Sequence, residues 1–163
     1  MDVEGDLYWM SSALLNGLQE NFTYNQAGVH ALVRRLEAVV GASNSSLLLH
    51  LQSIGISFEQ FAFRWMNCLL VREFGLRQVL RLFDTYLAEE SGNIGKLHVF
   101  ICASLLARWS SRLTDVHDFG QAMSFLQNPP TASYSDRDMD ELISEGFLKQ
   151  QLYENSNSVR MFR

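Results

Sequence analysis

The residues that could carry chemistry in this sequence lie on two neighbouring predicted helices and in the turn between them. On the first helix, Gln60, Arg64 and Asn67 follow an i, i+4, i+7 spacing and therefore share one face. Arg72 and Glu73 follow in the turn. An unpaired charge on a mostly buried helix is costly, so these groups either pair inside the protein or line a groove for a partner protein. We expect Arg64 to pair with a carboxylate, and Asn67, Arg72 and Glu73 to contact a partner.

The second predicted helix carries a similar polar stripe of Arg77, Arg81 and Asp84. Because Arg81 and Asp84 are one helical turn apart, we expect them to form an internal ion pair. Further along, the carboxylates of "SDRDMDE" are typical of a solvated first helical turn, where negative charge favours the helix dipole.

Motifs of independent catalysis are missing from the sequence. No Gly-x-x-x-x-Gly-Lys phosphate loop and no Gly-x-Ser-x-Gly nucleophile elbow occurs. The 4 histidines are far apart and lack the spacing of metal ligands. Cys68 and Cys102 lie in apolar runs without CxxC spacing, which indicates reduced core thiols of a cytosolic protein. We therefore expect no catalytic residue, no metal ion and no cofactor.

Composition favours one compact domain. The chain has 163 residues, of which 47% are apolar and 19% charged, so a sizeable core can form. A net charge of -5 without a cluster of Lys and Arg argues against nucleic acid as a partner. No apolar run reaches the length of about 18 residues that a transmembrane helix needs.

Apolar residues recur with a helical period almost throughout, and no β-branched run alternates with period two. The pattern predicts an all-α fold, an irregular array of seven to eight helices. Two stretches have the spacing of a capping box, Ser57 to Gln60 and Ser135 to Asp138, and each predicts a helix start. A further helix is expected to be capped by Thr114 or Asp115.

Glycines and apolar faces give the remaining boundaries and the expected core. Gly41 and Gly75 are expected to end the helices before them. Residues 97–109 are apolar all round, which is typical of a buried central helix. Two other helices have one apolar face each, expected to be buried: Leu7, Met10, Leu14, Leu15 and Leu18 on the first, and Leu76, Val79, Leu80, Phe83 and Leu87 on the second.

The stretch "FEQFAFRWMNCLLVREFGLRQVLRLFDTYLAEE" resembles the TBC domain of Rab GTPase-activating proteins. Three further segments, "EGDLYWMSSALLNGLQENFTYNQAGVHALVRRLEAVV", "LHVFICASLLARW" and "FLQNPPT", resemble its Golgi-linked branch, so the similarity extends to about Tyr153. One departure is Phe83, where the family usually has Trp before the Asp.

The resemblance implies a mechanism in which two side chains act on GTP bound to a Rab. An arginine in an Ile-x-x-Asp-x-x-Arg motif neutralises charge on the phosphates, and a glutamine in a Tyr-x-Gln motif orients the attacking water. No arginine of this chain has Asp three residues before it. Tyr24-Asn25-Gln26 matches the glutamine motif in letters, but it follows Trp9, whereas the family's motif precedes the equivalent segment. We therefore expect Gln26 to have a helix-start or turn role rather than act in catalysis.

These observations predict that residues 1–155 are the C-terminal half of a TBC domain, followed by a frayed tail at 156–163. Such a fragment would contribute to the groove that binds a GTP-loaded Rab, would be inactive alone, and could self-associate through the truncated face. The alternative is a catalytically inert helical scaffold for protein–protein interaction in membrane traffic. The resemblance implies a cytoplasmic location, peripheral to Golgi or endosomal membranes.

Overall fold

The computed structural model describes residues 3–16, 18–88 and 94–161. Within these ranges the chain forms nine α-helices and one 3-10 helix, Gln19–Phe22, and no strand. The all-α prediction is confirmed, although the number of helices exceeds the predicted seven to eight. The helices are α1 Val3–Asn16, α2 Ala27–Ser43, α3 Ser45–Ser53, α4 Phe58–Cys68, α5 Leu76–Leu87, α6 Ile94–Arg108, α7 Ser110–Thr114, α8 Phe119–Gln127 and α9 Asp136–Met161.

Helix α6 lies at the centre of the fold, with α2 and α9 packed most extensively against it. Of its 15 residues, 12 are buried, because apolar side chains occupy every face. Gly146 of α9 permits a close approach of the two helices, since a Cβ built there would lie 2.7 Å from Cγ1 of Ile101. Arg108 near the end of α6 forms two hydrogen bonds with the Glu145 carboxylate, at 3.1 and 2.8 Å. The predicted central helix is confirmed.

Helix α4 contributes the aromatic part of the core. Its rings continue through neighbouring elements as a series of edge contacts with centroids 5.1 to 6.2 Å apart. Such tilted and T-shaped geometries are favoured by the ring quadrupoles. The rings in order are Phe58, Phe61, Trp65, Trp109 and Phe125.

Local sequence signals placed two helix starts correctly. The backbone N–H of Ser57 donates to Oε1 of Gln60 at 2.9 Å at the start of α4. At the start of α9, the Ser135 N–H donates to Oδ2 of Asp138 at 2.7 Å, and the Asp138 N–H donates to Oγ of Ser135 at 3.3 Å. Both capping boxes are therefore confirmed.

Two other predicted boundaries were wrong. Helix α2 runs through Gly41, because the missing side chain makes room for Leu48 of α3, whose Cδ2 would lie 2.9 Å from a Cβ. Helix α8 is capped by Asp118, whose Oδ1 accepts from the N–H of Gln121 at 2.8 Å. Thr114 and Asp115 instead belong to the end of α7, a helix too short to show an apolar period.

The predicted apolar faces of α1 and α5 are only partly buried. On α1, Leu7, Met10 and Leu15 are exposed. Leu14 is half-buried against the core, and Leu18 beyond the helix lies in it. Apolar spacing identifies such a face, but it does not tell whether another element covers it.

Helix α5 has its core face rotated from the predicted one. Val79, Leu82 and Tyr86 are buried, whereas Leu76, Leu80 and Leu87 are exposed. Phe83 lies partly buried between the two faces. The charged residues of α5 occupy a third face. Their spacing indicates that the apolar positions face away from them, but it does not indicate which of the two apolar faces is buried.

Two predictions concern segments that the structure covers in part. Helix α9 continues to Met161 through most of the predicted tail, and residues 162–163 lie outside the described ranges. The domain boundary at 155 stays a prediction. Residues 89–93, between α5 and α6, also lie outside the described ranges. No described helix has the length and apolar character needed to cross a membrane.

Candidate partner-binding site

The turn between α4 and α5 begins with an unusual backbone. Leu69 and Leu70 both have left-handed conformations, with φ of 49° and 61°. Residues with side chains seldom adopt this region because Cβ approaches the carbonyl oxygen. Here both leucines are buried, at 4% and 0% exposure, so core packing offsets the backbone cost. Helix α4 therefore ends at Cys68, well before Gly75, the predicted stop.

Glu73 holds this turn from the inside. Its side chain is fully buried, and Oε1 accepts a hydrogen bond from Nε of Arg64 at 2.7 Å. The Thr131 hydroxyl donates to the Glu73 backbone carbonyl. Burial raises the pKa of the Glu73 carboxyl, while the positive charges of Arg64 and then Arg72 oppose that shift. The turn is thereby fixed to α4 and to the segment after α8.

Arg64 of α4 also bonds to the turn and to the end of α8. Besides pairing with Glu73, it donates from Nη2 to the backbone carbonyl of Gln127 at the end of α8. The prediction that Arg64 pairs with a carboxylate on a neighbouring element is confirmed. Glu73, which we expected to contact a partner, is buried instead of lying at the surface. Its side chain supports the turn and does not face solvent.

The other two predicted contact residues remain accessible. Arg72 is exposed, and no hydrogen bond or ion pair is recorded for it in the part of the chain that the structure describes. Asn67 is half-buried, and its Oδ1 atom lies below the surface without a hydrogen-bond partner among the described residues. Contact of either residue with a partner stays a prediction.

Exposed apolar side chains lie next to Arg72 in the sequence and on the first turns of α5. Val71 is 45% exposed, Leu76 77% and Leu80 58%. Leu76 and Leu80 are one helical turn apart, so they stand next to each other on α5. We call Val71, Arg72, Leu76 and Leu80 the α4–α5 patch. Sequence reasoning missed its apolar part because it assigned both leucines of α5 to the core.

The two arginines of the charged stripe of α5 form their ion pairs with α9 and not with Asp84. Arg81 donates to Oδ1 of Asp140 at 2.8 Å and to the Thr85 hydroxyl at 2.7 Å. Arg77 pairs with Asp136. The predicted pair of Arg81 with Asp84 was therefore wrong in its partner, since a carboxylate on another helix lies closer. The exposed acidic residues of "SDRDMDE" serve in part to join α9 to α5.

Gln26 occupies the N-cap of α2 and has a left-handed backbone, with φ of 44°. Its N–H donates to the Thr23 carbonyl at 2.9 Å, and its carbonyl accepts from the N–H of His30 at 3.2 Å. Its side chain makes no capping hydrogen bond. The predicted position at a helix start is confirmed.

Buried titratable groups near α4 are arranged as a structural network. His98 Nε2 donates to the Trp65 carbonyl at 2.9 Å, so Nδ1 accepts from the Tyr86 hydroxyl at 2.5 Å. Burial lowers the pKa of His98 to about 4, and it raises the pKa of the nearby Cys102 thiol. The imidazole is thus neutral at pH 7, and the thiol stays protonated and unreactive.

Among the described residues, no group of three or more His, Cys, Asp or Glu side chains could hold a metal ion. The turn between α4 and α5 presents the exposed guanidinium of Arg72 and exposed apolar side chains, and the buried pair of Arg64 and Glu73 holds the turn in place. A protein partner with an apolar patch and a carboxylate would match it.

Comparison with known proteins gives consistent findings. The sequence pattern of the Rab-GTPase-TBC domain matches residues 1–114. GTPase-activating protein gyp1 of Schizosaccharomyces pombe is 40% identical over 157 residues, covering 96% of this chain and 30% of that protein. TBC1 domain family member 22A of Homo sapiens is 40% identical over 146 residues, covering 90% and 28%.

A solved structure agrees with these relatives. The crystal structure of the Ypt/Rab-GAP domain of Gyp1p superposes with a TM-score of 0.88 at 41% identity, covering 93% of this chain and 47% of that chain. The present chain thus spans less than a third of the two full-length relatives and about half of the solved domain.

Proposed function

Because this chain belongs to the Rab-GTPase-TBC domain family, we propose that it takes part in GTPase activation on Rab-family small GTPases. Its role is to form part of the surface that binds the Rab in the GTP state. The observation that carries this proposal is the α4–α5 patch, in which Arg72 and three apolar residues close to it in the sequence are exposed on and beside a turn fixed by Glu73.

We further propose that the chain by itself does not accelerate hydrolysis. Stabilising the phosphoryl transition state calls for positive charge at the transferred group and an oriented water. No arginine here follows an Asp by three residues, and Gln26 is engaged through its backbone at the start of α2. An arginine supplied to a GTPase raises the rate about 10³- to 10⁵-fold, so its absence leaves the intrinsic rate unchanged.

The first experiment measures single-turnover GTP hydrolysis by a panel of purified Rab proteins, with and without excess chain. The expected result is an unchanged rate for every Rab. Acceleration that disappears in the Gln26→Ala variant, or on replacing one arginine, would overturn the proposal that the catalytic groups are absent.

The second experiment tests the patch by charge reversal. Binding of the Arg72→Glu variant to Rab loaded with a GTP analogue is compared with that of Arg137→Glu, a reversal at an exposed arginine of α9. An exposed ion pair contributes up to about 1 kcal/mol, so Arg72→Glu is expected to weaken binding about fivefold and Arg137→Glu to leave it unchanged. Equal effects of both variants, with helical content preserved, would contradict the assignment.

A catalytically inert scaffold in membrane traffic is the second candidate function. The exposed apolar residues of α1 and α5 favour it, because such surfaces mark interaction sites. The affinity of this chain for Rab in the GDP and GTP-analogue states discriminates between the activator surface and the inert scaffold. Nucleotide-independent binding would favour the scaffold, whereas preference for the GTP state would favour the activator surface.

We propose a cytoplasmic location, peripheral to Golgi or endosomal membranes, on the ground of the family resemblance. A fluorescent fusion scored against Golgi and endosomal markers tests it, and a signal confined to neither compartment would contradict it. We also propose that the chain associates with itself through an exposed apolar face.

A further inference from the structure

A cavity of about 320 Å³ lies between the C-terminal end of α2 and the second half of α9. This volume is at the lower end of the range of about 300 to 1,000 Å³ found for small-molecule sites, which combine an apolar lining with a few polar groups. The residues of the α4–α5 patch take no part in its lining. Its walls include Val39, Ala42 and Ser43 of α2 and Lys149, Leu152 and Tyr153 of α9.

One wall of this cavity supplies two hydrogen-bond donors. Lys149 is half-buried, and no ion pair or hydrogen bond is recorded for it within the described ranges. The hydroxyl of Tyr153 likewise has no recorded hydrogen-bond partner there. The two residues are one helical turn apart on α9, so their side chains stand side by side. An ammonium and a hydroxyl in this arrangement fit a carboxylate, whose oxygens accept from both.

The surrounding charges also favour an anion. No Asp or Glu is among the residues that line the cavity. Glu154, the nearest acid along α9, pairs with Lys96 at 2.8 Å. On the α2 side, the Arg35 guanidinium lies 5.6 Å from the ring centroid of Phe100, which in turn lies 5.6 Å from that of Tyr153. A second positive charge therefore stands near the donor wall.

The end of α2 limits how much negative charge the cavity accepts. Helix α2 ends at Ser43, and the C-terminal end of a helix carries a partial negative charge. This charge opposes a dianion such as a phosphate more strongly than a single carboxylate. The head group of a ligand is therefore expected on the α9 side, at Lys149 and Tyr153.

The remaining lining is apolar in character. The hydroxyls of Ser43 and Ser156 donate to carbonyls of their own helices, at 2.8 and 2.7 Å, so neither proton is available to a ligand. Leu152 is 67% exposed, and Leu148, one helical turn before it, is 61% exposed. The apolar surface thus continues past the cavity along α9, which suits an extended hydrocarbon chain better than a compact ring.

We propose that this cavity binds an unbranched fatty carboxylate. The carboxylate accepts hydrogen bonds from Lys149 and Tyr153, and the hydrocarbon chain lies along Val39, Ala42 and Leu152. The site goes beyond the proposed contact with a Rab and does not depend on it.

A chemical-shift titration of the isotope-labelled full chain with octanoate tests the proposal, and octanol serves as the uncharged ligand with the same hydrocarbon chain. The expected result is saturable shifts confined to the end of α2 and the second half of α9, with octanoate bound more tightly than octanol. The absence of shifts with octanoate, or shifts spread equally over the exposed apolar residues of α1, would overturn the proposal.

Two variants separate recognition of the charge from support of the cavity. Lys149→Met keeps an unbranched side chain and removes its charge, so it is expected to weaken octanoate binding about tenfold and to leave octanol binding unchanged. The matched control Arg137→Met, at an exposed position of α9, is expected to change neither. Equal losses for both ligands in Lys149→Met would overturn the assigned role of the lysine.

The second variant, Ala42→Phe, fills the cavity from an exposed position of α2, so the fold is expected to tolerate it. It should abolish the binding of both ligands while circular dichroism shows unchanged helical content. Octanoate binding that persists in this variant would place the ligand elsewhere and refute the proposal.

Discussion

His98 should make the stability of this protein depend on pH. The imidazole is fully buried, donates from Nε2 to the Trp65 carbonyl and accepts from the Tyr86 hydroxyl. Protonation would add a second donor where a hydroxyl proton already points, at a ring with no solvent-exposed surface. Burial therefore lowers the pKa of His98 from 6.5 to about 4, with the hydrogen bond to Trp65 opposing the shift.

The size of the effect follows from linkage between protonation and folding. The unfolded chain binds a proton near pH 6.5 and the folded chain only near pH 4, so stability is full above pH 6.5 and falls with pH towards 4. At ~1.36 kcal/mol per pKa unit, the loss relative to pH 7 is about 2 kcal/mol at pH 5 and about 3 kcal/mol at pH 4.

Urea unfolding at pH 7, 6 and 5 measures this loss in the unaltered chain and in His98→Gln. The variant is less stable at every pH, because it disturbs the two hydrogen bonds, but it lacks the titrating group. The raised pKa of Glu73 acts in the opposite direction, since the folded carboxyl holds its proton more tightly and stability falls as pH rises through its folded-state pKa. Glu73 is present in both chains, so the difference between their slopes isolates His98.

Equal slopes in the two chains would refute the reasoning. An NMR titration gives an independent check, because the His98 ring signals should stay those of the neutral imidazole down to about pH 5. A ring that titrates near pH 6.5 would show that water reaches it.

Two further predictions concern the turn and the centre of the fold. Glu73→Gln is expected to leave the free energy of unfolding at pH 7 within about 1 kcal/mol of the unaltered chain, because burial already disfavours the charged carboxyl and the amide oxygen can still accept the hydrogen bond from Arg64; a loss of several kcal/mol would contradict this. Gly146→Ala is expected to lower the free energy of unfolding by about 1 to 3 kcal/mol, because the new Cβ would meet Ile101. The control Gln151→Ala, on the same helix, is expected to change it little. Equal urea midpoints for the two variants would show that α6 can move aside.

Sequence reasoning succeeded where the determining groups are close in the chain. The capping pair of Ser135 and Asp138 spans one turn, so its spacing alone identifies the start of α9. The expected partner of Arg81 was wrong because the actual one, Asp140, lies 59 residues away and is brought near only by packing of α5 on α9. Local spacing carries no information about such pairs.

The candidate site was predictable in part for the same reason. Its position at the turn after α4 followed from the polar stripe, and the exposure of Arg72 agrees with it. The burial of Glu73 depends on Arg64 from α4 and on Thr131 from a distant segment, and no pattern in the sequence connects them. The exposed faces of α1 and α5 have the apolar period of core helices, so only the packed structure reveals them.

The left-handed backbone of Leu69 and Leu70 limits how the turn between α4 and α5 could be reproduced in another molecule. The conformation is maintained by burial of the two side chains and not by local preference. A synthetic peptide spanning the turn would relax to ordinary dihedral angles and lose the direction in which Arg72 points. Any inhibitor or graft copied from this loop would therefore need a scaffold with two pockets for the leucines.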